Sequence, residues 1–339
     1  MPCTTKLYKI LFISSLALYI TSCGKKPDEC VYIPDTGGVQ VDFEFEQLQD
    51  SMAGFSSKQA MVNLLTREPL IRDYVFRRTE YPHDSVFINA LYHKFTNPHF
   101  DTLLQETRRV FGDLSALKAE FTQAFTNIKY YYPDFTPPKV QTLISGLDTD
   151  LFVSDSLIIV SLDFFLGEGA KFRPKMYDYL LRQYNPENIV PSCLLIYGID
   201  SKVNDTDLKD KTVLADMVAY GKSYYFAKHM VPCVPDSIFI WYTPEEIEGS
   251  RKNQDLIWAR FIQDQVLYST SHLMKQKYLG DRPKTLEVGE KCPGRIGLWV
   301  GWQIVNSYAK NHPDTPLPQV MKMANAQQLF KESGYRPQK

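Results

Sequence analysis

The middle of the chain contains two short apolar runs, Val140-Gln-Thr-Leu-Ile-Ser145 and Ser156-Leu-Ile-Ile-Val-Ser-Leu162. Both have the length and apolar character of β-strands, and Asp148-Thr-Asp150 between them is typical of a turn. The runs are close enough in sequence to pair as neighbours. Residues 157–162 are nearly all apolar, which indicates a strand that is covered on both faces or lies on a partly buried edge.

Helical periodicity dominates on both sides of this strand pair. Apolar residues recur at steps of three and four over residues 57–132, whereas alternation at residues 39–46 predicts one more half-buried strand. Later helices are predicted at 175–184, 213–229, 243–268, 295–311 and 317–333, with Thr243-Pro244 as a helix start. The sequence therefore predicts an α+β fold without βαβ alternation: one mostly helical domain over 39–339, helical to about 135, with a small sheet around a strand pair at 139–162.

The N-terminus has the pattern of an exported lipoprotein. Lys6 and Lys9 precede a short apolar run, which ends in Ile20-Thr21-Ser22-Cys23. A run this short fits a secretory signal better than a transmembrane helix of about 20 residues, and its end resembles the bacterial lipobox. We predict a lipoprotein signal peptide at 1–22, a lipidated tether at 23–38 and membrane attachment through Cys23. An ordinary signal peptide and an uncleaved anchor are the alternatives.

Composition excludes several classes of protein. The 339 residues are 44% hydrophobic and 23% charged, which is too apolar and too evenly charged for a disordered chain. A net charge of −1 argues against a protein that neutralises nucleic-acid phosphates. Four cysteines remain after processing, Cys30, Cys193, Cys233 and Cys292, and none forms a Cys-x-x-Cys pair. One or two disulfides are predicted among them, and a link between the proline-rich turns at Cys193 and Cys233 is reasonable.

Catalytic and metal-binding motifs are absent from the sequence. No two histidines are four residues apart, and there is no Gly-x-Ser-x-Gly elbow, P-loop or dinucleotide-binding loop. Asp148, Asp150 and Asp155 lack the calcium-loop spacing and are interpreted as turn residues. His229 is interpreted as a cation near a helix C-terminus. No catalytic residue, metal ligand or cofactor is predicted, although a triad assembled from distant residues remains an alternative.

Two predicted helices contain glycines, which each cost about 1 kcal/mol relative to alanine unless another backbone approaches closely. The first helix contains Gly297 and Gly301 together with Trp299 and Trp302. One interpretation is tight packing in the core. The other is a groove that is lined by Trp299 or Trp302 and has Arg295 at its mouth. In the second helix Gly221 stands between Tyr220 and Lys222. Lys222 either reaches solvent or is buried beside Asp216 or another carboxylate. The candidate cleft or interaction residues are Tyr220, Gly221, Lys222, Arg295, Trp299 and Trp302.

Several segments together carry a family resemblance. They are the lipobox at Cys23, Tyr130-Tyr131-Tyr132-Pro133, residues 157–167, Ile189-Val190-Pro191, residues 217–222, Tyr242-Thr-Pro-Glu-Glu246 and, most specifically, Pro293-Gly-Arg-Ile-Gly-x-Trp299-x-Gly-Trp302-Gln-Ile-Val305-x-Ser-Tyr308. The chain resembles the gliding motility-associated lipoprotein GldB family of the Bacteroidota. The resemblance implies a non-enzymatic, lipid-anchored protein of either envelope membrane that faces the periplasm. It also implies contacts with envelope proteins of the gliding and type IX secretion apparatus.

A more distant resemblance is to zincin-type metallopeptidases. In those proteins one helix carries His-Glu-x-x-His and a later helix carries a Glu-Gly pair. Here the helix expected at 188–198 offers Pro191-Ser-Cys193, and the later one offers Tyr220-Gly221. This resemblance implies a degenerate zincin-like fold that has lost its zinc ligands. Two alternatives remain: a hydrolase acting on envelope peptide or peptidoglycan without the usual zinc site, and a periplasmic ligand-binding or chaperone-like lipoprotein.

Overall fold

A computed structural model describes Cys30 and residues 33–53 and 55–337. The predicted signal peptide, Cys23 and part of the predicted tether lie outside the described residues. At the centre is a four-stranded sheet in the order β1-β2-β4-β3. Its strands are β1 (Phe45–Gln47), β2 (Lys139–Leu143), β3 (Leu151–Val153) and β4 (Leu157–Ser161).

The two apolar runs of the sequence form the central strands of this sheet. β2 and β4 are parallel neighbours, with Val140 opposite Ile158, so the predicted pairing is confirmed. β1 is parallel to β2, and only the end of the predicted 39–46 strand is paired. A parallel pair needs a crossover connection, and here the whole first helical region supplies it. The three-residue β3, antiparallel to β4, was not predicted because it is too short to show periodicity.

Both faces of the sheet are buried. Ile158 and Val160 belong to one hydrophobic cluster, whereas their neighbour Ile159 belongs to a second cluster on the other face. Successive strand residues point to opposite faces, so a strand buried on both sides must be continuously apolar. This confirms the first of the two interpretations of residues 157–162.

Helices cover the sheet on both faces. Before β2 they are α1 (Gln49–Ala53), α2 (Lys58–Arg67), α3 (Asp84–Phe95), α4 (Pro98–Phe111) and α5 (Ser115–Tyr131). After β4 they are α6 (Asp178–Leu181), α7 (Ile189–Ile199), α8 (Val213–Met230), α9 (Asp236–Ile240), α10 (Pro244–Lys252), α11 (Gln254–Gln263), α12 (His272–Leu279), α13 (Ile296–Asn311), α14 (Leu317–Met321) and α15 (Ala326–Ser333). The mostly helical α+β class is therefore confirmed.

Some predicted helices are divided or shortened. The predicted helix at 243–268 is two helices, because the chain leaves helical geometry at Asn253. The predicted helix at 317–333 is also two, and the Asn325 side chain caps the second by accepting from the amide of Gln328. The helix start at Thr243 is confirmed as a capping box, in which the Glu246 carboxylate accepts from the Thr243 amide at 2.9 Å.

Helix α8 forms the centre of the larger cluster, and every residue from 221 to 230 is buried. It crosses α13 at glycines on both helices. A Cβ at Gly301 would lie 2.0 Å from the carbonyl oxygen of Met217, and one at Gly221 would lie 2.4 Å from that of Gly301. The predicted close approach of another backbone is confirmed. No helix among the described residues is both long and apolar enough to cross a membrane.

His229 near the end of α8 is not a cation, and this interpretation of the sequence is wrong. The side chain is buried, and burial lowers its pKa to about 4, so the ring is neutral at pH 7. A neutral ring next to a carbonyl oxygen must donate to it, and Nδ1 lies 2.7 Å from the Tyr225 carbonyl oxygen.

Candidate functional site

A cleft with a volume of about 310 Å³ opens beside α7 and α8. Two of the predicted candidates, Tyr220 and Arg295, line it. The complete lining is Asp150, Leu151, Phe165, Gln183, Tyr184, Ser192, Leu195, Ile196, Ile199, Tyr220, Ser223, Tyr224, Trp241 and Arg295. Aromatic and aliphatic side chains with a few polar groups are the usual lining of a binding cleft.

Arg295 reaches this cleft from the residue before α13. Its backbone is left-handed, with φ 61°, which is uncommon for a residue other than glycine. Gly294 before it lets the chain pass close to another loop, because a Cβ there would lie 1.8 Å from the carbonyl oxygen of Arg282. The backbone conformation of Pro293-Gly294-Arg295 thus explains this sequence, because the segment turns the chain sharply into α13.

The Arg295 guanidinium is held on several sides, and its side chain is only 13% exposed. Cζ lies 3.9 Å from the ring centroid of Trp241, Nη2 donates to the Tyr224 hydroxyl at 2.9 Å, and Nε lies 3.5 Å from Oδ1 of Asp281. An aromatic face and a carboxylate both stabilise a partly desolvated cation. Burial raises the pKa of Tyr224, so its hydroxyl stays protonated.

Two segments that carry the family resemblance meet behind Arg295. The Tyr242 hydroxyl donates to the Gly294 carbonyl oxygen at 2.6 Å. Four residues later Glu246 forms an ion pair with Arg182 at 2.8 Å. The segment at 242–246 therefore supports the turn that presents Arg295.

The opposite charge in the cleft comes from Asp150. The Tyr184 hydroxyl donates to its Oδ2 at 2.8 Å, and burial together with this carboxylate raises the pKa of Tyr184. Asp148 and Asp155 instead form ion pairs with Lys94 and Lys202. Within the described residues, no group of three or more His, Cys, Asp or Glu side chains could hold a metal ion.

Lys222 points away from the cleft and matches neither interpretation of the sequence. It is buried rather than solvent-exposed, and its ammonium group donates to three backbone carbonyl oxygens, of Asp205 at 2.6 Å, Met323 at 2.9 Å and Met321 at 3.0 Å. Burial lowers its pKa to about 8. Asp216, proposed as its partner, pairs with Lys275 at 2.7 Å. Lys222 therefore ties α8 to the chain around α14.

The two tryptophans of α13 belong to the core, with Trp299 1% and Trp302 2% exposed. Trp302 stacks on Tyr224 with ring centroids 5.2 Å apart. The predicted groove lined by Trp299 or Trp302 is therefore wrong: Arg295 does stand at a cleft, but its aromatic wall comes from Tyr220, Tyr224 and Trp241.

A second cavity, here called the apolar groove, has a volume of about 760 Å³ and adjoins a disulfide between Cys30 and Cys233. Its lining is Ile33, Glu120, Gln123, Glu187, Val190, Pro191, Val231, Pro232, Cys233, Val234, Pro235 and Ile238. The suggested link between Cys193 and Cys233 is wrong, since Cys193 and Cys292 are free and buried. Burial raises the pKa of both thiols, that of Cys292 to about 12, which makes them unreactive.

Sequence reasoning missed Trp241 and Asp150 as cleft residues. Trp241 ends the short helix α9 with a left-handed backbone, φ 63°, and directly precedes the 242–246 segment. Trp241 could have been predicted from this neighbouring segment, because a residue next to it in sequence must lie close to it in the fold. Asp150 gave no signal beyond that of a turn.

These features define a mostly helical α+β protein with an aromatic cleft around a buried arginine. The family model for the gliding motility protein GldB matches residues 29–337, so the chain belongs to this family. Membership supports a role like that of a gliding motility lipoprotein and a place in the cell envelope. No curated protein and no solved structure matches the chain. The comparisons support the family and give no support to the zincin-like resemblance.

Proposed function

We propose that this protein is a lipid-anchored, periplasm-facing component of the gliding and type IX secretion machinery, and that it acts through protein contacts at its cleft. The observation that carries the contact role is the mouth of the cleft. Ile196 and Tyr220 line it and are 43% and 45% exposed, beside the held guanidinium of Arg295. Exposed apolar side chains around one oriented cation are typical of a recognition site.

The state of the polar groups supports binding rather than hydrolysis. The Tyr184 and Tyr224 hydroxyls have raised pKa values and are engaged with Asp150 and Arg295. The Ser223 hydroxyl donates to the Leu195 carbonyl oxygen at 2.7 Å. A hydroxyl nucleophile needs an adjacent base, and the described lining residues include no histidine.

Substitutions at the cleft mouth test the contact role. Tyr220→Ala and Ile196→Ala remove exposed surface, so the variants should fold normally. We expect tagged variants to recover much less of the motility or secretion components from cross-linked envelopes, and cells to glide less. Leu286→Ala is the control, because Leu286 is 61% exposed and lies outside the cleft lining. Normal recovery and gliding with both variants would contradict the proposed role of the cleft.

The anchor is tested with two cysteines of the N-terminal region. Cys23→Ala should leave the protein unprocessed or released from the envelope membranes, because the thiol to which the lipid is attached would be lost. Cys3→Ala is the matched control, since it alters a cysteine inside the predicted signal peptide. Membrane fractionation and intact mass measure both results. A Cys23→Ala protein that is processed and membrane-bound like the wild type would exclude anchoring through Cys23.

A further inference from the structure

The apolar groove lies where the N-terminal segment is covalently fixed to the core. Cys233 lines the groove, and its disulfide partner Cys30 belongs to the segment that leads back to Cys23. Ile33, three residues after Cys30, also lines the groove. The chain that joins the core to the predicted lipid therefore starts at the edge of this cavity.

The tether is too short to let Cys23 move far away. Six residues lie between positions 23 and 30. The chain therefore makes seven steps from one Cα atom to the other, each of at most about 3.6 Å, so the two Cα atoms stay within about 25 Å. A group on so short a tether has an effective concentration in the millimolar range, provided that the tether spans the distance.

The walls of the groove suit an uncharged chain. Most of the lining is aliphatic, such as Val190, Val234 and Ile238, and the volume of about 760 Å³ is that of a small-molecule site. The charged side chains of the described lining are Glu120 and Glu187. Burial and the nearby Glu187 raise the pKa of Glu120, which marks an environment that disfavours negative charge.

The two glutamates of the lining favour an acyl chain with an uncharged head over one with a negatively charged head. A free fatty acid or an anionic phospholipid would bring its own negative charge towards two carboxylates. The acyl chains of a lipoprotein cysteine are joined to its glyceryl group by ester bonds and to its amine by an amide bond, so their heads are uncharged.

We propose that the apolar groove holds one acyl chain of the protein's own Cys23 anchor, while the remaining acyl groups stay in the membrane. The inference rests on the proposed lipid anchoring. The chain exchanges one apolar environment for another, and the groove wall leaves water, so the hydrophobic effect favours occupancy. Occupancy keeps the α8–α9 loop at the membrane surface and so fixes which face of the protein points away from the bilayer.

A photoreactive fatty acid tests this in living cells. Cells making the full-length tagged protein are fed an alkyne fatty acid with a diazirine near its methyl end, and are then irradiated. After purification and digestion, mass spectrometry should find the acyl group of Cys23 cross-linked to the peptide containing residues 231–238 of the same chain. Val234→Glu, which adds a third acid to the lining, should lower this cross-link severalfold, whereas Leu286→Glu outside the groove should leave it unchanged.

The outcomes separate the two proposals. A protein whose Cys23 carries no labelled acyl group would overturn the anchor and this inference together. A labelled Cys23 that cross-links only to lipid, to another protein or to a second copy of the chain would leave the anchor intact and overturn the groove assignment. Denaturing electrophoresis identifies cross-links between copies, because these give a covalent dimer, whereas a cross-link within one chain leaves the mass of the monomer.

Discussion

At the scale of single residues, Lys222 shows how a buried charged side chain can link separate segments of the core through hydrogen bonds. An ammonium group has three N–H donors, and the three carbonyl oxygens around Lys222 accept all of them. One acceptor, of Asp205, lies in the segment before α8, and the other two, of Met321 and Met323, lie about 100 residues further along the chain. The lysine therefore adds a donor to all three carbonyl oxygens, of which that of Met321 also accepts from the Asp205 amide at 3.0 Å.

Lys222→Met should be strongly destabilising although methionine is apolar and of similar length. The carbonyl oxygens of Asp205 and Met323 lose the donor that Lys222 provides, whereas that of Met321 keeps the Asp205 amide at 3.0 Å. Each buried unsatisfied group costs about 1–3 kcal/mol, so we expect a loss of at least about 2 kcal/mol. Urea unfolding measures the change. Lys252→Met is the control, because its i,i+4 ion pair with Glu248 is exposed and should contribute less than about 0.5 kcal/mol. Equal stability of the two variants would refute the role of Lys222.

The buried His229 should make the protein acid-sensitive. Its pKa of about 4 in the folded protein lies below the ordinary value of 6.5, so between these values the unfolded chain binds a proton that the folded protein does not. The free energy of unfolding must then decrease as pH falls through this range, by about 3 kcal/mol in total. Urea unfolding at several pH values measures the slope.

Two substitutions isolate the contribution of His229 from that of other titrating groups. His229→Gln has no group that titrates there, so its unfolding free energy should fall less steeply between pH 6.5 and 4. His83→Gln at an exposed position should keep the wild-type slope. If His229→Gln retains that slope as well, the acid sensitivity comes from elsewhere.

At the scale of elements, the crossing of α8 and α13 depends on glycine. Gly301→Ala would place a Cβ 2.0 Å from the Met217 carbonyl oxygen, so the helices must separate. We expect a loss of about 1–3 kcal/mol or more, despite the higher helix propensity of alanine. Gly249→Ala is the matched control: it lies inside α10 with no atom within 4 Å of the new Cβ, and should stabilise by about 0.4–1 kcal/mol. Thermal unfolding of both variants decides between packing and propensity.

The elements that could be predicted from the sequence are those with a long or strong periodic signal. α8 and α13 begin and end within a residue of their predicted bounds, and β2 and β4 follow the two apolar runs. The break between α10 and α11 could not be predicted, because the residue that leaves helical geometry is Asn253 and not a glycine or a proline. The three residues of β3 are specified by pairing with β4 rather than by their own pattern.

The cleft was only partly predictable for a related reason. Arg295 and Tyr220 stood out because glycines and aromatic residues surround them in sequence. Trp241 and Asp150 become cleft residues only through tertiary packing, which brings together α9, the turn before β3 and the start of α13. Burial of Lys222 was equally invisible, since the carbonyl oxygens that hold it come from other segments.

At the scale of the whole molecule, the Cys30–Cys233 disulfide joins the N-terminal segment to the loop after α8, across a sequence separation of 203 residues. A cross-link that closes so long a loop restricts the unfolded chain strongly. Both cysteines are exposed, so replacing a sulfur atom by oxygen has little packing cost of its own. The pair is therefore well suited to measuring the bond itself.

Cys30→Ser, Cys233→Ser and the double variant should each lose the same amount of stability, about 2–5 kcal/mol, because each breaks one shared bond. Urea unfolding without reductant measures this, and reductant should lower the stability of the wild type to that of the variants.

The buried thiols of Cys193 and Cys292 should react with a thiol reagent only after unfolding. Additive losses from the two single variants would show that the cysteines act separately. Because the bond also fixes the tether beside the apolar groove, its loss should reduce the acyl cross-link to residues 231–238 even under conditions where the protein remains folded.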